Sequence, residues 1–391
     1  VKAPVAKVSE RAAKSVRLGY PWVWRQEVLV LPPGLPRGAI VDVVDAQQNP
    51  LGQAFAASTS PLALRLVTRQ PSAELRLDDA FWRRRLELAV ARRRPLSTRD
   101  ALRLVHAEAD LVPGLIVDRY GPALVVQTLS EGADARKEGW ARLLAGLTGA
   151  SLVVCRDDAS GRDFEGLTRE ARVLRGGGAT VVEYHEGEST LELDLLRDSK
   201  TGSFLDQVDN HLRAGALASG RALDAFSYHG GFALALARAC SSVIAVEQDP
   251  DAAARARANV ARNGHRHVEV VTGNAFDELR RRSDAKETFE TVVIDPPGLA
   301  KRKEGLDTAR RAYHELNVRA LKLVAPEGLL VTCSCSGKFG REAFEAMVLE
   351  AAADARRAVQ ILERRGAGID HPVLPGLPET EYLKAWFVRV L

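Results

Sequence analysis

Cysteine is scarce in this chain: Cys155, Cys240, Cys333 and Cys335 are the four among 391 residues. That density excludes a disulfide-stapled scaffold, and Cys333 and Cys335 stand too close for a C-x-x-C pair. No group of His and Cys has zinc spacing, so no metal is expected. Long apolar runs are missing as well. No stretch approaches ~18 uncharged apolar residues, which argues against a membrane-spanning helix. The first residues carry charge and no apolar export core, so a cytoplasmic protein is expected.

What is present is a folded chain of 42.5 kDa with 46% hydrophobic residues, enough for two or three domains. Its charge is uneven. Residues 1–100 hold 17 Lys and Arg against 9 Asp and Glu, whereas the remaining 291 hold 38 against 42. The surplus includes the runs Arg83-Arg84-Arg85 and Arg92-Arg93-Arg94. Such runs are either a solvated face or a polyanion-binding surface, and their concentration in one part favours the second.

Three parts are legible. Residues 1–70 contain short alternating runs (27–31, 39–44 and 62–67) broken by Gly and Pro, which predicts a small β-barrel-like module. Tyr20, Trp22 and Trp24 alternate near its start and serve either as core or as a base-stacking surface. Residues 71–189 read as a small α+β domain, with helices near 79–94 and 135–147 and strands near 114–118, 123–127 and 151–156. From 190 to 391 the pattern becomes strands alternating with helices. Strands are predicted at 221–226, 243–247, 268–272, 291–295, 328–333, 358–363 and 382–390, a parallel α/β sheet covered on both faces. The last connection, Pro372–Pro378, is proline-rich and has no helical pattern, so the seventh strand is expected to return antiparallel.

Chemistry gathers at the C-terminal ends of these strands. Asp224 closes the first, and Phe226-Ser227-Tyr228-His229-Gly230-Gly231 turns into a helix. Glycines there allow a ligand to approach backbone, but the spacing is not G-x-G-x-x-G, which weakens pyrophosphate binding. Glu247 ends the second strand where a carboxylate can accept both ribose hydroxyls. The third ends in Gly273-Asn274-Ala275-Phe276, with Asn274 placed for an adenine edge and Phe276 beside it. Ribose and adenine positions without a pyrophosphate cradle fit S-adenosylmethionine better than NAD.

The fourth strand ends in Asp295-Pro296-Pro297, a stiff extended turn that can aim a carboxylate at a base. The turn alone does not choose among adenine, guanine and cytosine. The fifth leads into Ser334-Cys335-Ser336. A cysteine there is either a small core residue or a nucleophile. Carbon 5 of cytosine is a poor nucleophile until a thiolate adds at carbon 6, whereas an exocyclic amine needs no thiol. Asp295 and Cys335 are therefore the candidate catalytic pair, with Cys333 the competing thiol.

Several segments together resemble the bacterial 23S ribosomal RNA 5-methylcytosine methyltransferases that carry an N-terminal PUA domain. Residues 19–24 resemble the start of the PUA domain and 112–121 the central domain. Residues 200–210 (Lys200 to Asn210) resemble the lead-in to the catalytic domain, and 226–232, 295–297, 313–317 and 334–336 follow in the family's order. The resemblance implies a class I, Rossmann-like methyltransferase domain with a mixed seven-stranded sheet. It places Cys335 as nucleophile, Gln207 at the cofactor and Glu247 on its ribose. It also implies 23S ribosomal RNA as partner and a homodimer. The chain departs from the family at Asn274, where Asp is usual, and at Gly298-Leu299, where Lys-Phe is frequent. Guanine-N7 or adenine-N6 methylation, or a noncatalytic RNA-binding assembly factor, are the alternatives. Ser-Cys-Ser speaks against the first two.

Overall fold

The computed structural model describes residues 3–299 and 305–391. Within it the chain forms two compact units. The first takes the residues up to Val182 together with Asp194–Ser203 and Asp370–Thr380. The second takes Glu183–Leu193, Phe204–Ile369 and Glu381–Leu391.

The first unit holds two sheets. β1 (Val5–Val8), β2 (Trp22–Trp24), β3 (Val28–Val30), β4 (Ile40–Val44), β5 (Pro50–Ala56) and β6 (Leu62–Thr68) form a curled sheet in the order β2-β6-β5-β4-β1-β3. β5 was not legible as a strand because Gly52 interrupts its alternation. Gly52 has φ +134°, and a Cβ there would lie 2.0 Å from the Thr68 carbonyl oxygen, so only glycine lets β5 pass β6. Helix α1 (Glu10–Arg17) begins at Ser9, whose hydroxyl accepts from the Ala12 amide, and buries Ala12, Ala13 and Val16.

The second sheet runs β11-β10-β9-β8-β7, built from β7 (Ala101–His106), β8 (Leu115–Tyr120), β9 (Ala123–Thr128), β10 (Leu152–Asp157) and β11 (Glu170–Gly176). Helix α2 (Asp79–Ala91) lies between the two sheets in sequence, and its Trp82, Leu86 and Ala89 share one core with Phe55 and Val67 of the first sheet and Leu104, Leu115 and Val153 of the second. Short helix α3 (Glu131–Asp134) and α4 (Lys137–Thr148) follow β9. Of the run 92–94, Arg93 is buried and donates to Asp110, to the Arg103 carbonyl and to the Asp370 carbonyl. That arginine is a structural tie, while Arg83, Arg84, Arg92 and Arg94 remain exposed.

Most of the hairpin β12 (Val181–Glu186) and β13 (Ser189–Asp194) belongs to the second unit. Its main sheet contains β14 (Arg221–Ala225), β15 (Ser242–Glu247), β16 (Val268–Thr272), β17 (Phe289–Ile294), β18 (Val324–Ser334), β19 (Val359–Arg365) and β20 (Lys384–Val390). Their order is β16-β15-β14-β17-β18-β20-β19. The first five strands are parallel, and β20 inserts antiparallel between β18 and β19. This is the mixed seven-stranded Rossmann-like sheet expected from the strand spacing.

Helices α5 (Val208–Leu217), α6 (Gly231–Ala237), α7 (Pro250–Arg262), α8 (Ala275–Asp284), α9 (Leu306–Leu323) and α10 (Arg341–Asp354) connect and cover the strands. One face buries Leu223, Val292, Tyr313 and Phe344, the other Ala245, Val293, Val331 and Phe387. Adjacent residues on one strand divide between the two cores, as the period of two requires. Among the described residues no helix is long and apolar enough to cross a membrane.

Candidate active site

Strand register brings the candidate residues to one edge. Ala225 pairs with Val246 and with Ile294, Ile294 pairs with Thr332, and Glu247 pairs with Thr272. Asp224, Glu247, Asn274, Asp295 and Cys335 therefore lie at or just beyond the C-terminal ends of neighbouring parallel strands, where such sheets bind ligands.

The turn after β14 is held by its own backbone. The Ser227 amide donates to the Val246 carbonyl, the Tyr228 amide to Glu247 Oε2 at 2.7 Å, and the Gly230 amide to the Ser227 carbonyl. Phe226, Tyr228 and Gly230 all adopt positive φ, of 69°, 49° and 91°. Two non-glycine residues in that region mark a turn fixed by its surroundings. Tyr228 packs edge-on to Phe204, and Phe226 edge-on to Phe276 with centroids 5.9 Å apart.

Asp224 is fully buried at the base of this turn. Among the described residues neither of its carboxylate oxygens, nor the Ser227 hydroxyl, has a hydrogen-bond partner of normal geometry. Burial pushes the Asp224 pKa up to about 7, against the pull of Ser227 and His211. Buried polar atoms without partners are rare, and these three fit a ligand that brings donors. A nucleoside cofactor with an amino-acid moiety, as in S-adenosylmethionine, offers such groups.

Glu247 is half-buried and accepts from the Tyr228 amide and, through Oε1, from the Asp249 amide at 2.8 Å. Asn274 is exposed and caps α8: its Oδ1 accepts from the Phe276 and Asp277 amides, and its Nδ2 donates to Gln248. Ala275 is buried as the first residue of that helix, and Phe276 is half-buried behind it. Asparagine at this place thus keeps a helix start that aspartate would also support.

Gln207 is buried and joins the loop before α5 to the chemical end. Its Nε2 donates to Asp295 Oδ2 at 3.0 Å, while its Oε1 accepts from Asn210 Nδ2 at 2.7 Å. Asn210 in turn donates to the Gly366 carbonyl and accepts from Arg365. This chain of bonds fixes the amide's orientation and so the Asp295 carboxylate's.

The two nearby thiols differ sharply. Cys333 is buried in the sheet core, and burial together with Asp295 pushes its pKa well above the ordinary thiol value. Cys335 is half-buried one residue beyond the end of β18. Its flanking serines anchor it: Ser336 Oγ shares a hydrogen bond with the Tyr313 hydroxyl at 2.9 Å, and the Ser336 amide donates to Ser334 Oγ. A Cβ placed on Gly298 would lie 3.6 Å from Cys335 Sγ, so the Asp-Pro-Pro turn runs directly beside the sulfur.

Cys155 occupies a different setting, on β10 with Asp157 and Glu170 nearby. Lys137 Nζ donates to Asp157 at 2.6 Å and to Glu170 at 2.7 Å, filling the place a cation would take. Burial and Asp157 push the Cys155 thiol up to about 12. Its neighbours describe an internal ion-pair network.

Curated relatives match the chain over nearly its whole length. The ribosomal RNA large subunit methyltransferase I of Cronobacter sakazakii is 34% identical over 97% of both chains. The protein of the same name from Erwinia tasmaniensis is 35% identical over the same share of each. The chain belongs to the ribosomal RNA large subunit methyltransferase I family. A PUA-like domain family matches residues 6–69, and the family described as conserved hypothetical protein 95 matches 202–332. The crystal structure of SMU.776 with bound SAH shares the fold over 99% of this chain and 100% of its own, with TM-score 0.83 at 18% identity.

Two buried residues bonded around the candidate site were not legible in the sequence. His211 sits buried on α5, its ring 2.6 Å from Glu186 Oε2. Burial opposes its charge, but Glu186, Asp295 and Asp224 outweigh that and hold its pKa above the ordinary value. Lys384, on β20, is buried with its Nζ donating to the Ser336 carbonyl. Nothing in the local sequence pattern points to either, since both act across elements far apart in the chain.

Proposed function

We propose that the protein transfers a methyl group from S-adenosylmethionine to carbon 5 of a cytosine in 23S ribosomal RNA, with Cys335 as covalent nucleophile. The observation that carries this is the half-buried Cys335 thiol beside the Asp295-Pro296-Pro297-Gly298 turn, with every other cysteine buried. Methyl transfer to an exocyclic amine or to guanine N7 would leave that thiol without a task. The names of the relatives support a ribosomal RNA substrate.

In this reading the bound cofactor supplies an electrophilic methyl group. Gln207, Asp224, Phe226, Ser227, Tyr228, Gly230, Glu247, Asn274, Ala275, Phe276 and Asp295 form its surroundings. The Cys335 thiolate adds to carbon 6 of the cytosine, and the electron pair displaced from the ring double bond makes carbon 5 nucleophilic. Asp295, oriented by Gln207, hydrogen-bonds N3 as charge develops there. Once carbon 5 carries the methyl group, loss of its proton to a base re-forms the double bond and expels the thiolate.

The first unit supplies RNA contacts. Exposed Arg83 lines a groove of about 470 Å³ with Arg136 and Arg142. Tyr20, Trp22 and the 41%-exposed Trp24 line another of about 500 Å³. Cations that meet phosphates and rings that stack on bases are what a flipped-out nucleotide needs on its flanks. We assign residues 1–70 to RNA binding, 71–189 to a connecting domain and 190–391 to catalysis. A cytoplasmic homodimer completes the reading on the strength of the resemblance, and light scattering across concentration tests it.

Nucleoside mass spectrometry of RNA treated with purified protein and cofactor tests the reaction. 5-Methylcytidine is the expected product. N7-methylguanosine, N6-methyladenosine or no methylated nucleoside would overturn it.

A further inference from the structure

Lys384 is the first residue of β20 and pairs with Ser334 across the antiparallel ladder. Its side chain is only 3% exposed. Its ammonium donates to the Ser336 carbonyl at 2.8 Å and to the Tyr382 carbonyl at 2.9 Å. Both acceptors are neutral, and among the described residues no carboxylate lies within ion-pairing distance of it. A buried ammonium without a counter-anion is costly, and the protein resolves such a cost by deprotonating the group or by placing an anion beside it.

Of the two negative groups that act on Lys384, Cys335 has the larger effect and Glu381 the smaller. Ser336, whose carbonyl the ammonium grips, is the neighbour of Cys335. Arg341 and Glu381 act on Lys384 in opposite directions, and they pair with each other. Tyr313 and Cys333 are titratable groups that also interact with Cys335. We propose that Lys384 is a positioning residue for the reaction: its buried ammonium is the fixed counter-charge that holds Cys335 as a thiolate and clamps the loop that carries it.

This rests on Cys335 being the nucleophile, and it adds the source of its activation. The thiol proton goes to solvent before the base arrives, the thiolate adds to carbon 6, and Lys384 neither gains nor loses a proton. Burial draws the Lys384 pKa down to about 8, while a charged Cys335 acts in the opposite direction. The two ionisations therefore support each other.

Alkylation of Cys335 by iodoacetamide across pH 5.5 to 10, read by mass spectrometry of its peptide, tests the proposal without RNA or cofactor. Cys155, Cys240 and Cys333 are buried and react more slowly. In the unaltered protein the rate is expected to reach half its plateau below the ordinary thiol pKa of about 8.5. Lys384→Met and Lys384→Gln should both move that midpoint upward and slow alkylation at pH 7 about tenfold. Lys384→Gln retains a donor to the carbonyls, so it separates charge from hydrogen bonding. An unaltered-protein midpoint at or above 8.5 overturns the proposal, as does an unchanged midpoint in a folded variant. The nucleophile itself fails by a different result, namely methyl transfer that survives Cys335→Ala.

Discussion

Cys335 Sγ stands beside Gly298 so closely that a Cβ added to the glycine would meet it at 3.6 Å, with Ser336 Oγ at 3.9 Å. Those are ordinary contacts, and Gly298 has no left-handed backbone to lose. Gly298→Ala should therefore melt within about 0.5 kcal/mol of the parent. Gly298→Asp instead puts a carboxylate beside the sulfur. It should slow Cys335 alkylation at pH 7 about tenfold or more by disfavouring the thiolate. Equal alkylation rates in the Ala and Asp variants would show that the turn does not face the thiol.

The two thiols of β18 and its loop should separate cleanly. Cys335→Ala is expected to abolish 5-methylcytidine formation while leaving cofactor binding in place. Cys333→Ala should keep the activity and lose stability on the order of 1 kcal/mol, because a buried sulfur leaves a small void. Nucleoside analysis and thermal melting read the two outcomes. Activity lost only with Cys333 would reverse the assignment.

Asp224 predicts a pH dependence of stability. Unfolded aspartate titrates near 3.8 and the folded residue near 7, so between those values the folded chain keeps a proton that the unfolded chain has released. Stability from this group is fully present below about 3.8 and is lost as pH rises to 7, by as much as about 4 kcal/mol. Asp224→Asn should remove most of that loss. Melting curves at pH 5 and pH 8 with no cofactor present check it, and an unchanged difference between parent and variant would count against a protonated Asp224.

Gly231 illustrates a glycine required by packing rather than by φ. A Cβ there would lie 2.4 Å from His211 Cε1, and His211 is held by Glu186 and by the Phe232 ring. Gly231→Ala should cost about 1–3 kcal/mol. A melting temperature equal to the parent's would mean that α5 yields more easily than its bonds imply.

RNA affinity should depend on the first unit. Arg83→Glu with Arg142→Glu is expected to weaken binding and flatten its salt dependence. Trp24→Ala should weaken it with the salt slope preserved, as stacking rather than charge is lost. Filter binding at several salt concentrations distinguishes these, and unchanged affinity in both variants would move the RNA surface elsewhere.

The sequence by itself determined the catalytic sheet. Its first six strands alternate with helices, the seventh follows a proline-rich connection, and Asp224, Glu247, Asp295 and Cys335 stand at or just past strand ends. Hydrophobic periodicity and turn chemistry are local, so Asp224, Glu247, Asp295 and Cys335 could be placed without coordinates. Tertiary structure alone decided what depends on distant partners. Residues 370–380, a proline-rich connection in sequence, fold with the first unit because Arg93 and Arg103 bind Asp370 and because Gly19 and Gly376 let two backbones touch. The place of Cys335 at the loop edge favours it over Cys333, and the structure adds that Cys333 is buried whereas Cys335 is half-buried. Lys384 lies 49 positions after Cys335 and reaches the loop that carries it only because β20 inserts antiparallel beside β18. No periodicity encodes that meeting; the strand order does.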